Sequence, residues 1–172
     1  VMDRMPVARL NKSIVEALSS FNSLILKAPP GSGKSTLVPQ LLLDSVVPSG
    51  QSVVVLQPRR LATRMLARFV ALLRNGKLGD EVGFQVRYES AFSVSTRLLF
   101  VTEGVLMRKL MAGYQLEGVG AVVFDEFHER HVETDITLAL ALELQKRSRN
   151  DLKLIAMSAT ADLEQLTAAL RS

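Results

Sequence analysis

Short apolar, β-branched runs recur along the chain: "SLILKA" (23–28), "SVVVLQ" (52–57), "TRLLFVT" (96–102), "AVVFDE" (121–126) and "LKLIAMS" (152–158), with a weaker one at "VGFQVRY" (82–88). Runs of this length with little polar alternation predict strands, several of them buried on both faces. Between them the apolar positions take helical spacing. Leu10, Ile14, Val15 and Leu18 form one stripe, Leu61, Met65, Phe69 and Leu72 a second, and Val132, Ile136, Ala139 and Leu140 a third. Strand–helix alternation predicts an α/β domain, a mostly parallel sheet with helices on both faces and right-handed crossovers. In such sheets ligands bind beyond the carboxyl ends of the strands, where each strong run here gives way to polar, glycine or proline residues.

With 172 residues, no internal repeat and no linker long enough to divide it, the chain (1–172) is expected to be a single domain. It contains no cysteine, which excludes disulfides and thiolate metal sites and fits a reducing compartment. The longest apolar tract, "ITLALALEL", is too short to span a bilayer and the N-terminus does not read as a signal peptide. The expectation is therefore a cytoplasmic protein with no membrane partner. The chain begins at Val1 and ends within the helical pattern "LTAALRS", without a stop signal, so a piece of a longer protein is expected. The net charge of +4 is modest, but it is unevenly spread: Arg59 to Lys77 holds six basic residues and no acidic one, while Glu117 to Asp135 holds six acidic residues. One part could attract a polyanion while the other holds a cation.

The first run leads into "KAPPGSGKST" (27–36), nearly the pattern G-x-x-x-x-G-K-[ST], with Ala28 where the first glycine usually stands. Pro30, Gly31, Ser32 and Gly33 supply a loop whose backbone N–H groups can face phosphate oxygens. Lys34 supplies a point charge to the terminal phosphates, Ser35 a hydroxyl for Mg²⁺, and Thr36 continues into the helix. That helix offers its positive end to the anion. A flexible Gly/Ser turn would look similar in isolation; a buried strand before it and a helix after it favour the nucleotide.

The run "AVVFDE" ends in two adjacent carboxylates, Asp125 and Glu126. Side by side at a strand end they repel unless a cation lies near. Asp125 can hold Mg²⁺ through its water shell, and Glu126 can ligate the metal or accept a proton from water attacking a terminal phosphate. A solvated acidic turn entering the next helix is the plainer alternative. His128 and His131, taken singly, read as surface or satisfied histidines.

Five motifs in order then resemble the first RecA-like domain of superfamily 2 helicases of the DEAH-box group: "APPGSGKST", "QPRRLATRMLA" (57–67), "VTEGVL" (101–106), "DEFHER" (125–130) and "SAT" (158–160). The likeness covers about residues 6 to 170. It implies a RecA-like P-loop NTPase domain that uses ATP and Mg²⁺ to remodel RNA, with a second RecA-like domain and C-terminal domains of the same full-length chain as partners. It implies that Lys34 and Ser35 bind phosphate and metal, that Asp125 positions the metal, and that Glu126 is the general base. It also implies that His128 links the nucleotide site to the partner domain, that Ser158 and Thr160 couple hydrolysis to movement, and that Arg59, Arg60 and Thr102 touch the RNA backbone. Phe127 stands where the usual pattern has alanine, and its ring is expected in the core. The family's arginine fingers have no candidate here, so these residues alone are expected to bind ATP weakly and hydrolyse it poorly.

The residues themselves support RNA less directly. Arg60, Arg64 and Arg68 recur at i, i+4 and i+8 and share a helix face. That spacing suits a phosphate-contacting face and a solvated face paired with acids equally well. Two other readings stand beside the RNA helicase: a P-loop ATPase acting on DNA or a protein partner, and a nucleotide-responsive interaction module that never hydrolyses ATP. The intact Asp125 and Glu126 weigh against the second.

Overall fold

The computed structural model describes residues 5–129 and 131–159. After a 3₁₀ turn at Pro6–Leu10 come α1 (Asn11–Ser20), β1 (Ser23–Lys27), α2 (Lys34–Ser45), β2 (Ser52–Gln57), α3 (Arg60–Leu73), β3 (Val82–Val86), β4 (Glu89–Ala91), β5 (Leu98–Thr102), α4 (Glu103–Met111) and β6 (Val119–Phe124). A second 3₁₀ turn (Phe127–Glu129), α5 (Val132–Arg147) and β7 (Lys153–Ser158) complete them. The strands form one sheet in the order β1-β7-β6-β2-β5-β3-β4, with every pair parallel except the β3–β4 hairpin.

The apolar runs are continuous because the sheet is covered on both sides. Val53 and Val55 join one core cluster with Ile14, Leu18, Leu42, Ala67 and Val70, under α1, α2 and α3. Val54 and Leu56 join the other with Val105, Leu106, Leu138 and Ala141, under α4 and α5. Successive residues of one strand thus serve opposite layers, as a two-residue side-chain period requires. Parallel strands also bring their carboxyl ends to one rim. Lys27 registers with Ser158, Gln57 with Thr102, and Leu56 with Phe124. Among the described residues no helix is long and apolar enough to cross a membrane.

Two of the three helical stripes face outward. On α3, Leu61, Met65, Phe69 and Leu72 are exposed, the last at 72%. The buried face instead carries Thr63, Ala67, Val70 and Ala71. Small side chains there let the helix axis lie close to the sheet, a benefit that counting large apolar residues overlooks. On α5 the exposed residues include Val132 and Ile136, while Thr134, Thr137, Leu138, Ala141 and Leu142 are buried. The two threonines are tolerated inside because each hydroxyl has a partner, Glu103 for Thr134 and the Glu133 carbonyl for Thr137. On α1 the stripe does turn inward at Ile14 and Leu18. The weak run at 82–88 resolves into β3 and a turn at Arg87–Tyr88, with β4 unanticipated. Tyr88 takes a φ of 68°, so no glycine or asparagine marks the turn. Within the basic stretch, Arg74 is structural: it bridges Asp44 of α2 and Glu81 before β3 at 2.9 and 2.7 Å.

The α3 assignment has a direct test. Leu72→Lys should change stability by no more than about 0.5 kcal/mol, whereas Ala67→Leu should cost about 1–3 kcal/mol by overpacking. Urea denaturation of the two variants measures the contrast.

Candidate functional site

The loop after β1 carries two backbone positions that side chains disfavour. Gly31 has a φ of 73° and Gly33, the N-cap of α2, a φ of 87°. Their freedom lets the chain reverse tightly into the N-terminus of a helix, whose first N–H groups have no intrahelical acceptor. The loop is braced from two sides: Val7 donates its backbone N–H to the Ser32 carbonyl at 3.2 Å, and Ala28 donates to the Ser158 carbonyl at 3.1 Å. Helix α2 continues through Pro39 without ending.

β6 delivers the acids. Its six residues are all buried, and Asp125 follows them with 2% of its surface exposed. The Asp125 N–H still bonds the Leu56 carbonyl at 3.1 Å, so its backbone is held as if in the sheet. Five side chains meet at this point. Nζ of Lys34, a side chain only 4% exposed, lies 3.1 Å from Oε1 of Glu126. Ser35 hydrogen-bonds the Asp125 carboxylate. Gln57 donates Nε2 to Asp125 Oδ2, and the Glu126 N–H donates to Asp125 Oδ1 at 2.9 Å. The loop around Lys34 and the acidic step after Phe124 therefore clasp one another although they are distant in the chain.

Burial pushes the Asp125 carboxyl above its ordinary value; hydrogen bonds from Ser35 and Gln57 oppose this, and the neighbouring Glu126 charge adds to it. A carboxylate held up in this way gains from a cation at its edge. The donors present, the Ser35 hydroxyl and two carboxylates, are hard oxygens of the type Mg²⁺ takes, and they are few, as suits an ion that draws its other ligands from phosphate and water. The buried Ser32 Oγ has no hydrogen-bond partner among the described residues, an unmet polar atom inside the same loop. The residues fit a magnesium polyphosphate.

Glu126 itself has a φ of 49°, a left-handed conformation that costs a residue bearing a side chain about 1 kcal/mol or more. Its carboxylate is shared: Oε2 lies 3.3 Å from Nε2 of His128. Nδ1 of that ring accepts the Ala159 N–H at 3.3 Å. An accepting Nδ1 leaves Nε2 to carry the proton, so the neutral ring donates to Glu126. His128 thereby joins the acidic turn to the segment after β7. Phe127 is 5% exposed and packs in the α4–α5 layer, as expected of a ring in place of alanine. Ser158 is buried at the end of β7; Thr160 lies outside the described residues.

The residues read as RNA contacts separate. Thr102 ends β5 beside Gln57, and Arg59 follows two residues later, so both stand on the rim that holds Asp125. Arg59 ion-pairs with Glu129 at 3.0 Å. Arg60 turns to the Arg87 carbonyl at 2.9 Å and Arg64 to Glu89 at 2.8 Å, so part of the predicted basic face is engaged within the domain. Two features were missed from sequence. Gln57 closes an otherwise apolar run, and a polar residue at that strand end was its only signal. Glu103 is a buried acid whose carboxylate receives the Thr134 hydroxyl and lies 3.1 Å from His131 Nδ1, so His131 is a satisfied histidine that ties α4 to α5.

The profile of the DEAD/DEAH box helicase family matches residues 9–169. The Escherichia coli (strain K12) ATP-dependent RNA helicase HrpB is 44% identical over 165 residues, covering 96% of this chain and 20% of that protein. The Saccharomyces cerevisiae probable ATP-dependent RNA helicase DHR2 is 37% identical over 167 residues, covering 96% of this chain and 23% of that protein. Among solved structures, the Escherichia coli DEAH/RHA helicase HrpB superposes with a TM-score of 0.90 at 43% identity, over 95% of this chain and 21% of that one. This chain spans about a fifth of the length of these relatives.

The Gln57 contact predicts a pH-dependent cost. Gln57→Leu leaves a buried carboxylate oxygen unsatisfied and should destabilise the domain by about 1–3 kcal/mol near neutral pH. Asp125 binds its proton more readily folded than unfolded, so its penalty grows as pH rises from the ordinary carboxylate value through the raised folded one, and is relieved as pH falls. Denaturation at about pH 8 and about pH 5 should show the larger defect at the higher pH.

Proposed function

The chain belongs to the DEAD/DEAH box helicase family, and on that premise we propose that it is the ATP-binding RecA-like domain of an ATP-dependent RNA helicase. The observation that carries the reading is the meeting of Lys34, Ser35, Asp125 and Glu126 at one rim of the sheet. Mg²⁺, held by Ser35 and Asp125, would neutralise charge on the transferred phosphate.

The protein's own residues then have distinct tasks. The backbone from Pro30 to Gly33 and the N-terminus of α2 at Thr36 cradle the phosphates. Lys34 passes from Glu126 to the terminal phosphate oxygens, which removes from Glu126 the cation that holds its charge in place. Glu126 is then free to accept a proton from the attacking water, with His128 steadying its second oxygen. The contact from His128 to Ala159 is the route from this base to Ser158 and Thr160. Arg59 and Thr102, with Arg60, meet the RNA backbone, where contacts position the strand without reading its bases. A second RecA-like domain of the full-length protein supplies the arginine that stabilises the transferred phosphoryl group, an effect worth orders of magnitude in rate.

Glu126→Gln in the full-length protein tests the base. Turnover should fall by about 10²–10⁴-fold while ATP binding, measured by fluorescence titration of a labelled analogue, persists. Unchanged turnover with intact binding would remove Glu126 from the role.

A further inference from the structure

Glu129 takes no part in the chemistry proposed for the acidic turn, yet both ends of it are committed. Its carboxylate pairs with Arg59, Oε1 to Nη2 at 3.0 Å, and the arginine side chain is 73% exposed. Its backbone N–H closes the 3₁₀ turn by donating to the Glu126 carbonyl at 2.9 Å. Glu126, at the other end of that bond, sits in the left-handed region with φ 49°, a state that a residue with a side chain keeps only while its surroundings enforce it. Its carboxylate touches Lys34 and His128. One short turn therefore carries the base at its start and an ion pair to the basic stretch at its end. Arg60 and Arg64 bond elsewhere, to the Arg87 carbonyl and to Glu89. Arg59 is the member of that trio whose partner belongs to the acidic turn.

We propose that Glu129 is an internal competitor for the RNA phosphate at Arg59, and that RNA, by breaking this ion pair, releases one of the restraints on the turn that positions Glu126. The inference rests on the RNA reading of Arg59 given above. A guanidinium presents the same fork to a carboxylate as to a phosphate, so the two ligands exclude each other. The exposed arginine makes the pair weak enough to exchange, which a desolvated pair would not be. Releasing Arg59 frees the side chain of the residue whose N–H closes the turn, and the strained backbone of Glu126 loses one tether. Linkage makes the effect mutual: a state of the nucleotide site that favours the loosened turn binds RNA more tightly. Glu129 is thus a positioning residue, acting on Glu126 through the turn and not on the substrate.

The test uses the full-length protein, a single-stranded oligouridylate and two readouts, RNA affinity and the ratio of RNA-stimulated to basal ATP turnover. Glu129→Gln keeps the shape and removes the charge. It should bind the RNA about two- to five-fold more tightly at low salt, the range of an exposed ion pair, with the difference fading at high salt. The stimulation ratio should fall toward one, because the turn no longer waits for RNA to release it. Glu129→Asp, which keeps the charge, should return both readouts toward the parent. No change in either readout in Glu129→Gln would overturn the proposal. So would a ratio lost equally in both variants at unchanged RNA affinity, which would make the role one of packing. Arg59→Ala separates the two levels: if it leaves RNA affinity intact, the RNA reading of Arg59 itself fails.

Discussion

Asp125 keeps a carboxylate almost out of water at the end of a strand that is buried throughout. A group in that position must either take up a proton or be compensated, and here the compensation comes from three directions: the Ser35 hydroxyl, the Gln57 amide and the Glu126 backbone. Beside it, the buried Lys34 and the half-buried Glu126 satisfy each other's charge. These contacts join the loop after β1 to the turn after β6. They also set the terms on which a ligand enters, since a polyphosphate with its cation offers Lys34 a replacement for Glu126 and offers Asp125 the positive charge that its surroundings lack.

The fold's contribution is to bring these groups to one edge. A parallel sheet with helices on both sides places every strand's carboxyl end on the same rim, and the order β1-β7-β6-β2-β5 sets the phosphate loop, the acidic turn and the basic stretch side by side. The neighbours are physically linked. Arg59 reaches Glu129, Glu129 closes the turn on Glu126, and His128 reaches Ala159 beyond β7. The site is a continuous set of short contacts across four strands, not a row of independent motifs.

Much of this was legible in the sequence, for identifiable reasons. Apolar runs in a doubly covered sheet need no alternation, so β2, β6 and β7 stood out. The phosphate loop and the acidic step were read from local chemistry, glycine freedom in one case and adjacent like charges in the other, and the structure brings the two together. Less visible were features whose meaning depends on a distant partner. The spacing of large apolar residues marks α3 and α5 as helices but not which face is buried, because close approach to the sheet selects Ala67, Ala71, Thr134 and Thr137. Gln57 and Glu103 lie within or beside apolar runs and become informative only once Asp125 and Thr134 are seen beside them. The β3–β4 hairpin escaped because Tyr88 takes a left-handed conformation without a glycine to announce it.

The proposed chemistry requires one magnesium nucleotide held between the loop and the acidic turn. A crystal structure of this domain with Mg²⁺ and a non-hydrolysable ATP analogue tests that most directly. It should show the metal between Ser35 and Asp125, and Nζ of Lys34 on the terminal phosphate and no longer on Glu126. Nucleotide bound at another edge of the sheet, or at this loop with the Lys34–Glu126 pair intact and no metal beside Asp125, would contradict it.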